Sequence, residues 1–250
     1  MNNLVSENVA IVIIGDEILS GRTRDTNFNF ISKNLLKYGI LVSECRIISD
    51  SKNEIISTVN ELRKKYKYVI TTGGIGPTHD DITSESMADA FGVEIESNQD
   101  AFNILSDYYK NIGANFNEAR QRMAKIPLGA KLIKNQISAA PGFKIENVFV
   151  LAGVPKIMKS MLNEVIQYMD QKEKAINIKL KVMAPEGEIA NILEKIIEKH
   201  SDVKIGSYPF FESDKIFGVN LELNSYNDNS IKNALKFLKI HLSEESINYK

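Results

Sequence analysis

Two short segments of the sequence carry residue types that could bind and cleave a phosphate group. One is Thr72-Gly73-Gly74-Ile75-Gly76-Pro77-Thr78, which follows an apolar run and precedes Asp80, Asp81 and Thr83. Glycines after a strand let the backbone approach an anion, and a helix N-terminus behind them adds about half a positive charge. Adjacent carboxylates repel phosphate unless a divalent cation lies between them. The segment predicts a phosphate cradle with a metal; alternatively, Asp80 and Asp81 only cap a helix beginning at Thr83.

The other segment is a long polar connection, Gly15-Asp16-Glu17-Ile18-Leu19-Ser20-Gly21-Arg22-Thr23-Arg24-Asp25-Thr26-Asn27, directly after an apolar run. Strand-to-helix connections usually have about two to six residues, and long ordered loops at the ligand end of a sheet tend to be functional. The whole chain lacks the G-x-G-x-x-G and G-K-[ST] patterns of common nucleotide-binding folds. The segment therefore predicts a ligand loop of another kind; alternatively, it is a solvated connection in which Asp25 caps the next helix.

Asp50 follows the second predicted strand and, taken alone, indicates a helix cap or a turn. The carboxyl ends of strands one, two and three of a parallel sheet face one crevice, which would gather Asp16, Asp50 and Asp81. Three carboxylates in one crevice predict a metal site.

Two later segments are predicted to wall the same crevice. They are Asn135-Gln136-Ile137-Ser138-Ala139-Ala140-Pro141-Gly142-Phe143 and Ala152-Gly153-Val154-Pro155. The second places a glycine before a helix N-terminus, an arrangement suited to a second phosphate. The alternative is that both segments serve only as turns.

The predicted elements place these segments at one edge of a mostly parallel α/β sheet flanked by helices. Apolar runs that end in glycine indicate buried strands, and the alternation of strand and helix indicates right-handed crossovers. The predicted strands are 9–14, 40–48, 68–72, 130–133 and 147–151, and the predicted helices are 28–38, 51–62 opened by a Ser51-x-x-Glu54 capping box, 83–91, 98–123 interrupted by Gly113, and 155–169.

The charged segment 170–174 predicts a linker between a domain over residues 1–170 and a small domain over residues 175–250. The small domain has the order β-α-β-β-α. Its predicted elements are the strand 176–182, the helix 189–200, the strands 203–209 and 216–223, and the helix 231–242.

Composition and charge exclude several classes of protein. The chain of 250 residues has 31 Lys and Arg against 32 Asp and Glu, so no global field attracts nucleic acid. It has no run of 18 apolar residues, and no basic segment precedes an apolar one at the N-terminus, which argues against a membrane protein and a signal peptide. We expect a cytoplasmic protein. The single cysteine, Cys45, excludes intramolecular disulfides and thiolate clusters, and we expect it to be buried in a strand.

Taken together, the motifs resemble the molybdopterin-binding domain shared by MoaB/Mog proteins, the competence-damage-inducible (CinA-type) proteins and the hydrolase half of FAD synthases. The resemblance covers residues 8–168. Segment 15–21 is similar to the family pattern G-D-E-[IL]-L-x-G, segment 25–27 to D-T-N, and segment 72–83 to T-G-G-[IL]-G-P-T-x-D-D-x-T. The Pro77-Thr78-x-Asp80-Asp81 version is typical of the CinA-type and FAD-synthase branches. The two segments predicted to wall the crevice, 135–143 and 152–155, depart from the CinA-type pattern at Gln136, Ser138 and Ala152.

The segment 176–250 resembles, more weakly, the small KH-like domain that follows in CinA-type proteins, on Gly206-Ser207-Tyr208-Pro209. Segment 182–188 carries acidic residues and no G-x-x-G clamp, so we expect no nucleic-acid partner. The deamidase domain of full-length CinA-type proteins has no counterpart in the printed sequence.

The resemblance implies the following roles. Asp50 and Asp81 match two acidic residues assigned to catalysis in the Mog branch, and we add Asp80 to them. The metal, Mg²⁺, Mn²⁺ or Co²⁺, is expected on Asp16 and Asp81. The expected substrate-binding residues are Gly15, Glu17, Gly21, Asp25, Asn27, Thr72, Gly73, Gly74, Gly76, Pro77, Thr78, Asn135, Gly142, Gly153 and Pro155.

The resemblance also implies the activity: metal-dependent hydrolysis of a pyrophosphate bond in ADP-ribose or a related nucleotide such as FAD. The alternative is a protein that binds molybdopterin or a nucleotide, either without catalysis or with adenylylation, in molybdenum cofactor synthesis. In both cases the expected partner is a small nucleotide or pterin, and we expect a homo-oligomer.

Overall fold

The chain folds into two units, Met1–Lys172 and Glu173–Lys250. The computed structural model describes residues 6–170, 176–213 and 216–250. The predicted linker 170–174 lies outside the described residues, apart from Asp170. No helix in the described part of the chain has the length and apolar character needed to cross a membrane.

The first unit alternates strands and helices along the chain. In order, its elements are β1 (Ser6–Ile14), α1 (Asp16–Leu19), α2 (Asn27–Leu36), β2 (Val42–Ile48), α3 (Lys52–Lys65), β3 (Tyr66–Thr72), α4 (Thr83–Phe91), β4 (Ile95–Ser97), α5 (Gln99–Asn111), α6 (Glu118–Gln121), a 3₁₀ turn (Arg122–Ala124), β5 (Lys125–Pro127), β6 (Lys131–Ile133), β7 (Gly142–Ile145), β8 (Val148–Leu151) and α7 (Pro155–Gln167).

A six-stranded sheet with the order β2-β1-β3-β8-β7-β6 forms the centre of this unit. Strands β2, β1, β3 and β8 pair in parallel, while β7 runs antiparallel to both β8 and β6. The predicted mostly parallel α/β fold is confirmed. Its consequence for function is that β1, β2, β3 and β8 end at the same edge of the sheet.

The apolar run of β1 is continuous because helices cover both faces of the sheet. Ala10 and Val12 pack in one core with residues of α3, α4 and α5, whereas Val9 and Ile11 pack in a second core with residues of α2 and α7. Successive side chains of a strand point to opposite faces, so a strand buried on both sides needs apolar residues at every position.

The structure corrects three predictions of local structure. Strands β4, β5 and β7 were not predicted. The three-residue strands β4 and β5 form by pairing with each other although α5 and α6 lie between them in the chain, and the four-residue β7 forms by pairing with β6 and, through a tight hairpin, with β8. The predicted capping box is wrong: Ser51 makes no side-chain capping bond, and Glu54 instead contacts the Ser49 hydroxyl. Cys45 is exposed rather than buried, because β2 is the outer strand of its sheet and its side chains alternate in burial.

The second unit is an antiparallel sheet with two helices. Its elements are β9 (Ile176–Val182), α8 (Glu186–Lys199), β10 (Lys204–Ser213), β11 (Ile216–Ser225) and α9 (Asp228–Glu244), and its strand order is β10-β11-β9. The predicted β-α-β-β-α order is observed. Apolar residues of α8, α9 and the sheet form one core, so this unit buries its own hydrophobic surface.

Glu44 on β2 is the centre of a charged cluster and generates a first prediction. Hydrogen bonds from Lys65 Nζ and Tyr66 Oη, each at 2.7 Å, lower the pKa of Glu44 from 4.5 to about 2, with a further contribution from Arg46. The cluster therefore stabilises the fold fully above pH 4.5, and the stabilisation is lost as the pH falls through 2. Glu44→Gln should lower the free energy of unfolding by about 1 kcal/mol at pH 7.

Urea unfolding at pH 7 and at pH 3 measures this effect. The loss of unfolding free energy in Glu44→Gln should be smaller at pH 3 than at pH 7. The control Glu96→Gln, at an exposed position on β4, should have nearly the same unfolding free energy as the wild type at either pH. An equal deficit for Glu44→Gln at both values would contradict the assigned charge interaction.

Candidate active site

Two glycine segments and the end of β1 meet backbone to backbone at the carboxyl edge of the sheet. The Gly73 N–H donates to the Leu151 carbonyl oxygen at 3.1 Å. A β-carbon on Gly73 would lie 2.1 Å from the Ile14 carbonyl oxygen, and one on Gly153 would lie 3.2 Å from Gly73 Cα. Gly73 has a φ of 115°, which favours glycine. Strands β1, β3 and β8 can therefore end together only because no side chain stands at position 73.

Gly74 joins this junction to the N-terminus of α4. Its carbonyl oxygen accepts a hydrogen bond of 2.9 Å from the Thr83 N–H, and its φ is 67°. A β-carbon on Gly74 would lie 2.2 Å from Thr83 Oγ1. The glycine loop is therefore folded directly onto the first residue of the helix.

Asp16 and Asp50 hold the ends of β1 and β2 together. The Asp16 N–H donates to Asp50 Oδ2 at 2.9 Å, and the Asp50 N–H donates to Asp16 Oδ1 at 3.3 Å. Burial raises the pKa of Asp50, and the negative charges of Asp16, Glu17 and Asp80 raise it further. The hydrogen bond from the Asp16 N–H opposes these effects by lowering it.

Asp81 shapes the turn that follows the glycine loop. Its Oδ2 accepts hydrogen bonds from the Thr78 N–H at 2.8 Å and from Thr78 Oγ1 at 2.5 Å. The N-cap residue of α4 is Ile82, without any side-chain capping bond. The alternative interpretation, in which Asp80 and Asp81 serve only as helix caps, is therefore wrong.

A cavity of about 670 Å³ opens beside these loops. It contains four carboxylates, Glu17, Asp50, Asp80 and Asp81, and no Lys, Arg or His among its described lining residues. Its lining consists of Ile14, Glu17, Thr23, Asp50, Gly73, Gly74, Ile75, Gly76, Pro77, Asp80, Asp81, Tyr109, Met123, Asn135, Ser138, Ala140, Ala152, Gly153, Val154, Pro155 and Ile157.

The site residues predicted from the sequence fall into two groups. The first group lines the cavity and comprises Glu17, Asp50, Gly73, Gly74, Gly76, Pro77, Asp80, Asp81, Asn135, Gly153 and Pro155. The second group lies outside the lining and comprises Gly15, Asp16, Gly21, Asp25, Asn27, Thr72, Thr78 and Gly142.

Most members of the second group have structural positions outside the cavity lining. Asp25 accepts hydrogen bonds from the N–H groups of Asn27 and Phe28 and so caps α2. Gly15 donates to the Ile48 carbonyl oxygen at 3.1 Å. A β-carbon on Gly142 would lie 2.4 Å from the Val150 carbonyl oxygen, so glycine is needed there for strand packing. Gly21 lies in a turn with a φ of 72° and nothing nearby.

Asn27 ties two of the cavity's segments together. Its buried side chain donates from Nδ2 to the Gly153 carbonyl oxygen at 2.8 Å and to Thr72 Oγ1 at 3.4 Å. These bonds fix the last residue of β3 relative to the loop that precedes α7. The structure therefore gives Asn27 and Thr72 a supporting position behind the cavity wall.

Within the described ranges, no group of three acidic, His or Cys side chains is arranged to hold a metal ion. Asp16 and Asp50 are adjacent, but Asp81 is engaged with Thr78. The expected cluster of Asp16, Asp50 and Asp81 is thus not assembled as a complete set of ligands. A cation here would need further ligands from a bound molecule.

Tyr109 and Met123 are lining residues that the sequence analysis missed. The Tyr109 ring stacks on Phe116, with centroids 5.6 Å apart, and the Arg120 guanidinium lies 4.4 Å from its centroid. Phe116 in turn contacts Phe102 edge to face. Phe102 and Tyr109 lie seven positions apart on α5, a helical spacing that could have indicated this wall, whereas Phe116 lies beyond the end of α5.

Asn135 builds the loop that forms the opposite wall. Its Oδ1 accepts hydrogen bonds from the N–H groups of Ile137 and Ser138, and its Nδ2 donates to Ser138 Oγ and to the Ala140 carbonyl oxygen. Ser138, one of the departures from the CinA-type pattern, therefore supplies a hydroxyl that binds Asn135. With serine at position 138, the loop is therefore held by hydrogen bonds among its own residues.

Comparisons with known proteins identify the family. Residues 10–171 match the family described as "Probable molybdopterin binding domain". The chain belongs to the molybdopterin-binding domain family. In addition to this molybdopterin-binding domain, residues 174–250 match the family described as "FAD synthase, middle domain".

Relatives and a solved structure agree with this assignment. A protein of Pyrococcus furiosus is 35% identical over 244 residues, covering 92% of this chain and 94% of the relative. A protein of Archaeoglobus fulgidus is 34% identical over 199 residues, covering 80% and 84%. The solved structure of the protein CinA from Thermoplasma acidophilum is 32% identical, with a TM-score of 0.60, and covers 65% of this chain and 98% of that one. The resemblance inferred from the motifs is confirmed.

The contact between Gly74 and Thr83 in the molybdopterin-binding domain generates a second prediction. Gly74 and Gly92 have similar φ values, 67° and 65°, but only Gly74 faces a neighbouring atom where a β-carbon would lie. Gly92→Ala should lower the free energy of unfolding by about 1 kcal/mol, because a residue with a β-carbon is strained in the left-handed backbone conformation. Gly74→Ala should cost about 2–4 kcal/mol, because steric overlap adds to the backbone term.

Urea-induced unfolding of the two variants measures both costs under identical conditions. Equal losses for Gly74→Ala and Gly92→Ala would mean that Thr83 rotates away without penalty, contrary to a tightly packed loop.

Proposed function

We propose that the protein hydrolyses the pyrophosphate bond of ADP-ribose or a closely related nucleotide, with a divalent cation. The observation that carries this proposal is the charge of the cavity: a glycine phosphate loop lies beside four carboxylates, with no basic side chain in the described lining. Such a cavity repels a free phosphate anion, and a cation between carboxylates and phosphate oxygens removes the repulsion.

The donor set fits a cation that is shared with the substrate. Mg²⁺ usually keeps several waters and binds through one or two carboxylates plus substrate phosphates rather than through an all-protein cage. Asp81 lines the cavity and would hold such an ion, which when bound would neutralise charge developing on the phosphoryl group. Asp16 lies outside the lining, so its proposed role shifts from direct ligand to support of Asp50.

Asp50 is the best candidate for the general base. It lines the cavity, and its raised pKa brings it nearer to neutral pH than an ordinary carboxylate. In the proposed reaction, Asp50 accepts a proton from a water molecule whose oxygen attacks one phosphorus. The P–O bond of the pyrophosphate then breaks, giving AMP and a sugar phosphate. Asp80, also in the lining, is the second and weaker candidate for this role, because hydrogen bonding to Thr78 lowers its pKa.

Backbone donors would hold the phosphate groups. The loop from Gly73 to Gly76 borders the cavity, and Pro155 begins the 13-residue helix α7 at its rim. The N-terminus of a helix favours anions through its free N–H groups and its dipole. Since the Gly73 N–H donates to Leu151, the N–H groups of Gly74, Ile75 and Gly76 would bind one phosphate. The start of α7 would attract the other mainly through its dipole, because Pro155 has no N–H and the N–H groups of Ile157 and Met158 donate to Val154.

A second candidate is a protein that binds molybdopterin or a nucleotide and either adenylylates it or performs no catalysis; the family description supports the binding of molybdopterin. Such a protein would bind its ligand without releasing AMP from ADP-ribose. The expectations of a homo-oligomer and of a cytoplasmic location stay predictions.

A substrate panel tests the proposed activity. ADP-ribose, FAD, NAD and dinucleoside polyphosphates are incubated with Mg²⁺, Mn²⁺ or Co²⁺, and the products are separated by chromatography. We expect AMP from ADP-ribose or a close relative with metal present, and none with EDTA. If turnover of every compound in the panel stayed at background with every metal, the hydrolase proposal would be overturned and the second candidate, a binding protein, would be favoured.

Asp81→Asn tests the proposed metal-holding charge. Asn retains an oxygen that can accept from Thr78, so the free energy of unfolding should change by less than about 1 kcal/mol. Turnover should fall about 10²-fold or more, the scale of losing one preorganised electrostatic contact. The control Asp100→Asn lies in the first turn of α5, outside the cavity, and should leave turnover unchanged. Near-normal turnover of Asp81→Asn would remove Asp81 from the mechanism.

A further inference from the structure

Thr83 carries a buried hydroxyl that forms no hydrogen bond with any described residue. It is the first residue of the nine-residue helix α4 and is fully buried. Its N–H donates to the Gly74 carbonyl oxygen, but its Oγ1 has no hydrogen-bond partner in the described part of the chain. Most buried polar groups in native proteins are hydrogen-bonded, so an exception beside a candidate active site calls for a functional explanation.

The Thr83 hydroxyl and Asp50 face each other across Gly74. The point where a β-carbon of Gly74 would stand is 2.2 Å from Thr83 Oγ1 and 3.6 Å from Asp50 Oδ1. Asp50 Oδ2 accepts from the Asp16 N–H, whereas Oδ1 accepts no hydrogen bond from any described residue. A donor and an acceptor, each without a partner, therefore converge on the same space, which exists because residue 74 is glycine.

We propose that Thr83 is a positioning residue for Asp50, whose Oδ1 accepts a hydrogen bond from the Thr83 hydroxyl when the cavity is occupied. The proposal rests on the proposed function, in which Asp50 is the general base. Hydrogen bonds at catalytic sites are often long or misaligned without ligand and tighten in the complex. With Asp16 on one oxygen and Thr83 on the other, the carboxylate is fixed, and each oxygen keeps a lone pair for the attacking water.

A matched control exists because Thr71 in β3 also has a buried hydroxyl without a partner among the described residues. It differs from Thr83 in that only the Thr83 hydroxyl is among the atoms nearest to the β-carbon position of Gly74, together with Asp50 Oδ1. Thr83→Val and Thr71→Val each remove an unsatisfied hydroxyl at nearly constant shape, so neither variant should have a lower Tm. Thr83→Val should lower kcat about 10–100-fold with KM changed by less than about threefold, the scale known for groups that orient a reactive ligand. Thr71→Val should keep normal kinetics.

Two further variants separate positioning from packing. Thr83→Ser keeps the hydroxyl and should retain kcat within about fivefold of the wild type, because the same donor remains. In an Asp50→Asn background, Thr83→Val should add less than about a threefold loss, because residues that act as a unit are not additive. Full kcat in Thr83→Val, or a loss in Thr83→Val that adds fully to that of Asp50→Asn, would overturn the proposal.

A crystal structure with AMP and Mn²⁺ tests the inference without any turnover measurement. The expected result is a Thr83 Oγ1 to Asp50 Oδ1 distance below about 3.2 Å. Failure of the wild-type protein to hydrolyse the substrate panel would overturn the proposed function alone. Two oxygens that stay apart in these crystals would overturn the role of Thr83, whatever the activity.

Discussion

The backbone of Gly73 lies so close to β1 that a β-carbon there would come within 2.1 Å of the Ile14 carbonyl oxygen. This approach lets β1 and β3 end side by side, while the Gly73 N–H binds the end of β8 through Leu151. The neighbouring glycine, Gly74, then turns directly into α4. The four carboxylates of the cavity depend on this junction: Glu17 follows the end of β1, Asp50 follows the end of β2, which pairs with β1, and Asp80 and Asp81 lie in the turn between Gly74 and α4.

The cavity keeps negative charges together at an energetic cost. Asp50 is partly buried near three other acidic groups, which is why its pKa is raised rather than lowered. Elsewhere in the same unit, Glu44 is surrounded by Lys65, Tyr66 and Arg46 and shows the opposite shift. Glu44 is thus paired with basic side chains at a position where only stability is involved, whereas the partly buried Asp50 at the cavity has acidic neighbours and no described basic partner. Strained or uncompensated groups of this kind are typical of functional sites.

Local sequence patterns were sufficient for most of the first unit's elements. The strands at β1, β3 and β8 and the helices at α4 and α7 were predicted because their apolar periodicity and their terminal glycine or proline residues are encoded in adjacent positions. The patterns failed for β4 and β5, which are short and pair with each other across α5 and α6, and for β7, whose four residues are too few for an apolar periodicity to be recognised. They also failed for Cys45 and Tyr109, whose exposure or burial depends on which neighbouring element covers them.

The sequence by itself determined the fold class, the family and the glycine loops, because these follow from short-range periodicity and from residue order within contiguous motifs. Only the tertiary structure decided which residues face the cavity: it placed Asp50 and Asp81 in the lining, left Asp16 and Asn27 outside it, and added Tyr109 from α5. Side-chain direction at a strand end or in a turn is set by contacts between segments far apart in the chain. The same is true of Thr83, whose hydroxyl and Asp50 Oδ1 approach the same point beside Gly74 only in the folded glycine loop.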